Sequence, residues 1–140
     1  MICALSCVLM VGCKTQMTIS GGTSFGHCRG FCNKEITINA HKTTFTKWEN
    51  GQDNIKHEMM VAGDDKDYRK LVKALDLVGF RKLPERIGCP DCADGGAEWI
   101  EVKKGLSKKK VTYEFGNVPE VLKEPARQLK ALREKFDDSK

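Results

Sequence analysis

The chain is 140 residues long, 40% hydrophobic and 31% charged, which suffices for one small globular domain and excludes two of ordinary size within it. Its longest apolar run, Ile2 to Gly12, is shorter than the roughly 20 residues a membrane-spanning helix needs. The net charge of +5 is modest, with five positive charges gathered in Lys103, Lys104, Lys108, Lys109 and Lys110.

The apolar run stops at Gly12-Cys13 and resembles a bacterial lipoprotein signal, in which a small residue lets the peptidase reach the bond before a cysteine whose thiol receives the lipid. That resemblance implies a signal over 1–12, a lipid-anchored linker over 13–16 and a membrane partner held through Cys13. No Lys or Arg precedes the run, so a chain starting at Met1 is expected to export poorly. The alternative is a buried N-terminal strand or helix of a cytosolic protein, because short apolar runs are ambiguous by periodicity.

The body, 17–136, reads as strands followed by a helix, twice, ahead of a polar tail over 137–140. Lys34 to Ala40 alternates with Ile36, Ile38 and Ala40 on one face, and Thr43 to Trp48 is β-branched and aromatic. Asn50-Gly51 marks a turn, and Ile55 to Val61 is a third strand. Asp64, Asp65 and Asp67 gather where carboxylates favour the free N–H groups of a helix start. Tyr68, Leu71, Val72, Leu75 and Val78 then recur at helical spacing, and Gly79 is expected to close the helix. Glu98 to Lys103 and Lys110 to Phe115 form a hairpin, with Ile100 and Val102 on one face and Val111, Tyr113 and Phe115 on the corresponding one. A final helix follows Pro119, with the stripe Val118, Leu122, Ala126, Leu129, Leu132 and Phe136; Pro125 sits near its first turn or kinks it. The fold class that follows is α+β, an antiparallel sheet with two helices packed on one face.

Of the seven cysteines, Cys3 and Cys7 fall in the signal, Cys13 is the lipid site, and four remain in the body as Cys28-x-x-x-Cys32 and Cys89-Pro-Asp-Cys92. An oxidising envelope favours disulfides, whose connectivity sequence does not fix. Gly26, Gly30, Gly88, Gly95 and Gly96 let the backbones approach, which slightly favours bridges between the motifs over local ones. The rivals are a zinc site, since both spacings suit tetrahedral thiolate ligation, and a redox pair at Cys89 and Cys92.

The segments Ser24-Phe-Gly-His-Cys-Arg-Gly-Phe-Cys32 and Ile87-Gly-Cys-Pro-Asp-Cys-Ala-Asp-Gly-Gly-Ala-Glu-Trp-Ile-Glu101 resemble paired motifs of a domain family of unknown function found in secreted proteins and lipoproteins of bacteria, notably the Bacteroidetes. The resemblance runs over about Met17 to Phe136 and implies an exported α+β domain with paired cysteines and no assigned catalytic residues.

Judged on their own chemistry, Asp91, Asp94 and Glu98 offer oxygen ligands to a hard cation, against a reading of Asp94-Gly95-Gly96 as turn chemistry. His27 beside Cys28 is a zinc ligand or thiol activator, against a solvated loop histidine. His41 and His57 have no partner visible in the sequence. No phosphate loop, nucleophile elbow or zinc-protease helix is present, so no catalytic residue is named. The lysine cluster falls where the hairpin must turn, and solvated turn lysines account for it better than a nucleic-acid or anionic-lipid partner.

The expectation is therefore a bacterial envelope lipoprotein whose disulfide-stabilised domain binds a protein or glycan, with no cofactor and His27, Asp91, Asp94 and Glu98 as a binding loop. The alternatives are a zinc- or thiol-dependent enzyme, or an intracellular zinc-stapled interaction module, using Cys28, Cys32, Cys89 and Cys92.

Overall fold

The computed structural model describes residues 16–63 and 65–138. The expected signal, the lipid site Cys13, Asp64 at the helix start and the last two residues lie outside them.

Seven strands form one sheet in the order β4-β3-β2-β1-β6-β7-β5. The strands are β1 (Met17–Ser24), β2 (Asn33–Ile38), β3 (Lys42–Trp48), β4 (His57–Ala62), β5 (Arg86–Ile87), β6 (Ala97–Lys104) and β7 (Ser107–Glu114). The chain meanders from β1 to β4, crosses back through α1 (Asp65–Ala74) and α2 (Leu77–Lys82), builds the other half, and ends in α3 (Lys123–Asp137). The α+β class holds, but the sheet is mixed: the two-residue β5 runs parallel to β7, while every other pairing is antiparallel.

Alternation along the strands assigns one face to the core. Ile19, Ile36, Ile38, Phe45, Ile100, Val102, Val111 and Tyr113 join Leu71, Phe80, Leu122, Ala126, Leu129, Leu132 and Phe136 in one buried cluster. Each fully buried Ile or Leu of this kind contributes about 1.5–3 kcal/mol through lost apolar surface. Pro125 is buried in the first turn of α3, where the missing N–H costs the helix nothing, and it produces no break.

The central strand, β1, is an element that sequence periodicity does not reveal. It is hydrogen-bonded to β2 on one side and β6 on the other, yet its middle is Gly21-Gly22. The glycines make room on both faces. A Cβ at Gly21 would lie 2.7 Å from Leu129 Cδ1 on α3, and one at Gly22 would lie 2.7 Å from Trp99 Cε2 on the opposite side. Trp99 thus lies against Gly22 with the Lys110 ammonium 4.7 Å above its ring, buried although it points away from Ile100 and the helices.

The single helix expected up to Gly79 is two. The chain breaks at Leu75–Asp76, where the Asp76 carboxylate accepts the Gly79 N–H (3.0 Å) and caps α2. Gly79 therefore lies inside α2 rather than ending α1. Phe115 departs from the buried face as well: β7 stops at Glu114 and Phe115 is 45% exposed.

The lysine cluster does not form a loop. Lys104 pairs with Ser107 across Gly105-Leu106, so the lysines ride on β6 and β7 and diverge. Lys103 and Lys108 both reach Glu101 (3.6 Å), Lys110 covers Trp99, and Lys109 donates to the carbonyls of Arg81 (3.2 Å) and Leu83 (2.5 Å).

Candidate functional site: two disulfide loops and an aromatic groove

The register of β1 against β6 determines where the two cysteine motifs meet. Ser24, the last residue of β1, is opposite Ala97, the first of β6, so the segment leaving β1 and the segment entering β6 emerge at the same end of the sheet. Each is closed by its own disulfide, Cys28–Cys32 with Cα atoms 5.7 Å apart and Cys89–Cys92 with Cα atoms 5.4 Å apart. Of the two pairings the sequence allows, the local one is present, against the slight preference for bridges between the motifs. Tight turns are the reason: Gly30 at φ 79° lets the Cys32 N–H return to the Gly30 carbonyl (2.9 Å), and the Cys92 N–H returns to the Cys89 carbonyl (3.2 Å) past Asp91 at φ 59°.

The loops hold each other without a covalent cross-link. Phe25 meets Phe115 edge-to-face at 4.9 Å, and its ring occupies the space a side chain would need at Gly96, whose φ is 85°. Asn50 donates to the carbonyls of Phe25 (2.8 Å) and Gly26 (3.1 Å) and accepts from Asn33 (2.9 Å), which pins the first loop to the β3–β4 turn. Glu114 anchors the second loop by accepting from the Cys89 N–H (2.7 Å) and from Asn117 (2.8 Å); these bonds, the first above all, hold its carboxyl below the usual carboxylate range.

Between the first loop and the last turns of α3 lies a groove of about 360 Å³, walled by Phe25, Phe31, Phe115 and the Cys28–Cys32 bridge. Phe31 stands between the His57 ring (4.9 Å) and the Lys47 ammonium (4.8 Å) and remains 36% exposed. On the α3 side the rim carries Lys34, Lys130, Arg133, Glu134 and Asp137. Asp137, expected in a polar tail, belongs to α3 and takes both Lys34 and Lys47 (3.1 Å). Burial opposes its ionisation, but the two ammonium groups outweigh burial and hold its pKa below the ordinary value.

His27, Asp91 and Asp94 all come to this end of the sheet. Asp94 lies 3.5 Å from His27, an exposed pair of little energetic weight, and Asp91 accepts from the Gly26 N–H at 3.4 Å. Glu98 does not join them. It faces the core, buried, where it accepts the Tyr113 hydroxyl (2.7 Å). His41 contacts Gln16 at the opposite end of β1. Among the described residues no group of three or more His, Cys, Asp or Glu side chains is arranged to hold a metal, and the four body cysteines are bonded to one another.

Of the groove residues, sequence analysis names Cys28 and Cys32 as site residues but not Phe25, Phe31 or Arg133, although two signals mark them. Phe25 and Phe31 are aromatic residues inside a Gly/Cys loop that has no strand period to bury them. Arg133 interrupts the buried stripe Ala126, Leu129, Phe136 at helical spacing, a cation where the pattern calls for an apolar residue. Comparison with known proteins adds nothing to this geometry: no family model matches the chain, and no curated protein matches it.

Proposed function

We propose that the chain is an exported binding module, tethered to a bacterial envelope through lipid on Cys13, that receives a ligand in the groove between its first disulfide loop and α3. The observation that carries the reading is the groove itself, preformed, aromatic, and walled by a loop that a disulfide and the Asn50 hydrogen bonds hold in one shape. Both bridges suit an oxidising compartment, and the apolar run ending at Gly12-Cys13 and the paired cysteine motifs support export and membership of the secreted family they resemble. The partner is a protein, a glycan or a small molecule bearing an apolar group.

Intact-mass measurement of protein recovered from cells, with and without reductant, reads cleavage, lipid and bridges together. A lipidated Cys13 and a gain of four hydrogens on reduction are expected. A retained N-terminus with all seven cysteines as free thiols would overturn export. For the groove, protein captured from the organism's own envelope by the wild-type chain should be lost with Phe31→Ala, and equal capture by both would overturn the site.

A second reading rests on the exposure of Cys89 and Cys92, which leaves that bridge open to attack by an external thiolate. Thiol–disulfide exchange requires a reduction potential well above about −300 mV; a lower value makes the bridge structural.

A further inference from the structure

Among the described residues, Arg133 is the groove cation that no carboxylate approaches within ion-pair distance. Lys34 and Lys47 share Asp137, and Lys130 takes Glu134 at 3.8 Å. Arg133 is only 6% exposed, yet among the described residues its guanidinium makes no ion pair or hydrogen bond. Glu98 and Glu134 attract it from beyond ion-pair distance, the first already engaged by the Tyr113 hydroxyl and the second by Lys130. Taking most of a guanidinium out of water is costly, and burial pulls the Arg133 pKa down against the attraction of Glu98 and Glu134. No buried side-chain N or O among the described residues lacks a partner, so the unbonded N–H donors of Arg133 keep contact with solvent, and Arg133 is among the residues lining the groove.

We propose that the groove takes a small monocarboxylate with an apolar body, its carboxylate accepting two N–H bonds from Arg133 and its body lying on Phe25, Phe31 and Phe115. The proposal rests on the reading of the groove as a binding site and names the chemistry of the ligand. A carboxylate matches the planar fork of a guanidinium and supplies the single negative charge the site lacks. A dianionic phosphate would bring a second charge against the Glu134 and Asp137 rim. The aromatic walls give the body its affinity and the guanidinium gives the selectivity, a division of labour common to small-molecule sites.

The test is an NMR titration of the oxidised full chain with 4-phenylbutyrate, 4-phenylbutan-1-ol and 4-phenylbutyl phosphate, following the Arg133 Nε–H and the Phe31 ring. The acid should shift both signals and bind at least about tenfold more tightly than the alcohol, a charged hydrogen-bond pair's typical effect. Arg133→Gln should remove that advantage and leave the alcohol unchanged, and Phe31→Ala should weaken both ligands. Equal affinity for acid and alcohol in the wild type overturns the proposal even where Arg133→Gln fails to fold, and so does tighter binding of the phosphate. Alcohol binding that Phe31→Ala abolishes, without preference for the acid, would refute the carboxylate and keep the groove as a site. Absence of binding by all three would refute the ligand class, with the binding-module reading then decided by the capture experiment.

Discussion

The contact between Gly21 and Leu129 yields the sharpest quantitative expectation. Leu129 is fully buried on α3, and the chain meets it with a glycine in the central strand. Leu129→Ala removes a buried isobutyl group and should cost about 2–5 kcal/mol, the spread reflecting how far the site collapses. Gly21→Ala places a methyl group 2.7 Å from Leu129 Cδ1 and 3.3 Å from its Cβ, so the helix or the leucine rotamer must give way. Overpacking of this kind costs about 1–3 kcal/mol. Replacing a strand glycine returns about 0.5–1 kcal/mol, leaving a net loss of about 1–2 kcal/mol. In the double variant the new methyl occupies space the leucine has vacated. Its destabilisation should therefore fall short of the sum of the singles by about 1–2 kcal/mol. Urea unfolding of the four oxidised proteins at equal m-value measures the cycle, and about 1 kcal/mol corresponds to roughly 4 °C in Tm for a chain of this size. Additivity within about 0.5 kcal/mol would refute the argument that Gly21 exists to admit Leu129.

Non-reducing peptide mapping should give Cys28 joined to Cys32 and Cys89 joined to Cys92; a peptide joining Cys28 to Cys89 would contradict the local pairing. Because the bridges close loops of only four and three residues of separation, replacing Cys28 and Cys32 together by serine should cost about 2 kcal/mol of unfolding free energy, against about 4 for a bridge spanning the two motifs. Asp137 has a depressed folded-state pKa, so its contribution is present above the ordinary carboxylate range near pH 4 and is lost as pH falls through the lowered value. Asp137→Asn should therefore lower stability at pH 7 and flatten the acid limb of a stability–pH curve; an unchanged limb would remove Asp137 from the account. Tyr113→Phe strands the buried Glu98 carboxylate and should cost about 1–3 kcal/mol by denaturant titration. Burial first, and Glu98 second, push the Tyr113 hydroxyl far above its ordinary range, so alkaline absorbance should show it ionising only as the chain unfolds.

Sequence patterns revealed the elements whose stability is local and missed those defined by a neighbour. Ile36 and Ile38, Ile100 and Val102, and the α3 stripe all carry a period that follows from which face is buried, and their strands and helix are where that period puts them. The β1 strand was illegible because its purpose is to be thin: Gly21 and Gly22 erase the alternation so that Leu129 and Trp99 can approach from opposite sides. The β5 strand has two residues and exists only because β7 offers it an edge, which no local pattern encodes. Apolar spacing carried the first helix across Asp76, because a period does not register that the carboxylate caps the Gly79 N–H. Cysteine spacing located the candidate site, but the groove depends on Phe31 and Arg133 meeting across 102 residues of sequence, and proximity of that kind arises only from the register of β1 and the docking of α3.

The direction of β1 also acts as a ruler. The strand runs for eight residues from Met17, three positions after Lys14, to Ser24 beneath the aromatic loop, about 25 Å at the rise of an extended chain. Were the lipid on Cys13 as proposed and the strand upright on the membrane, the bilayer would lie at the foot of this strand and the groove at its head. A vesicle-bound protein would then hold Phe31 and Arg133 up in bulk solvent, some 25 Å or more above the headgroups and beyond several Debye lengths of the surface potential. A soluble ligand would be met in open water, and a quencher confined to the lipid surface would leave fluorescence from a dye placed at position 31 undimmed.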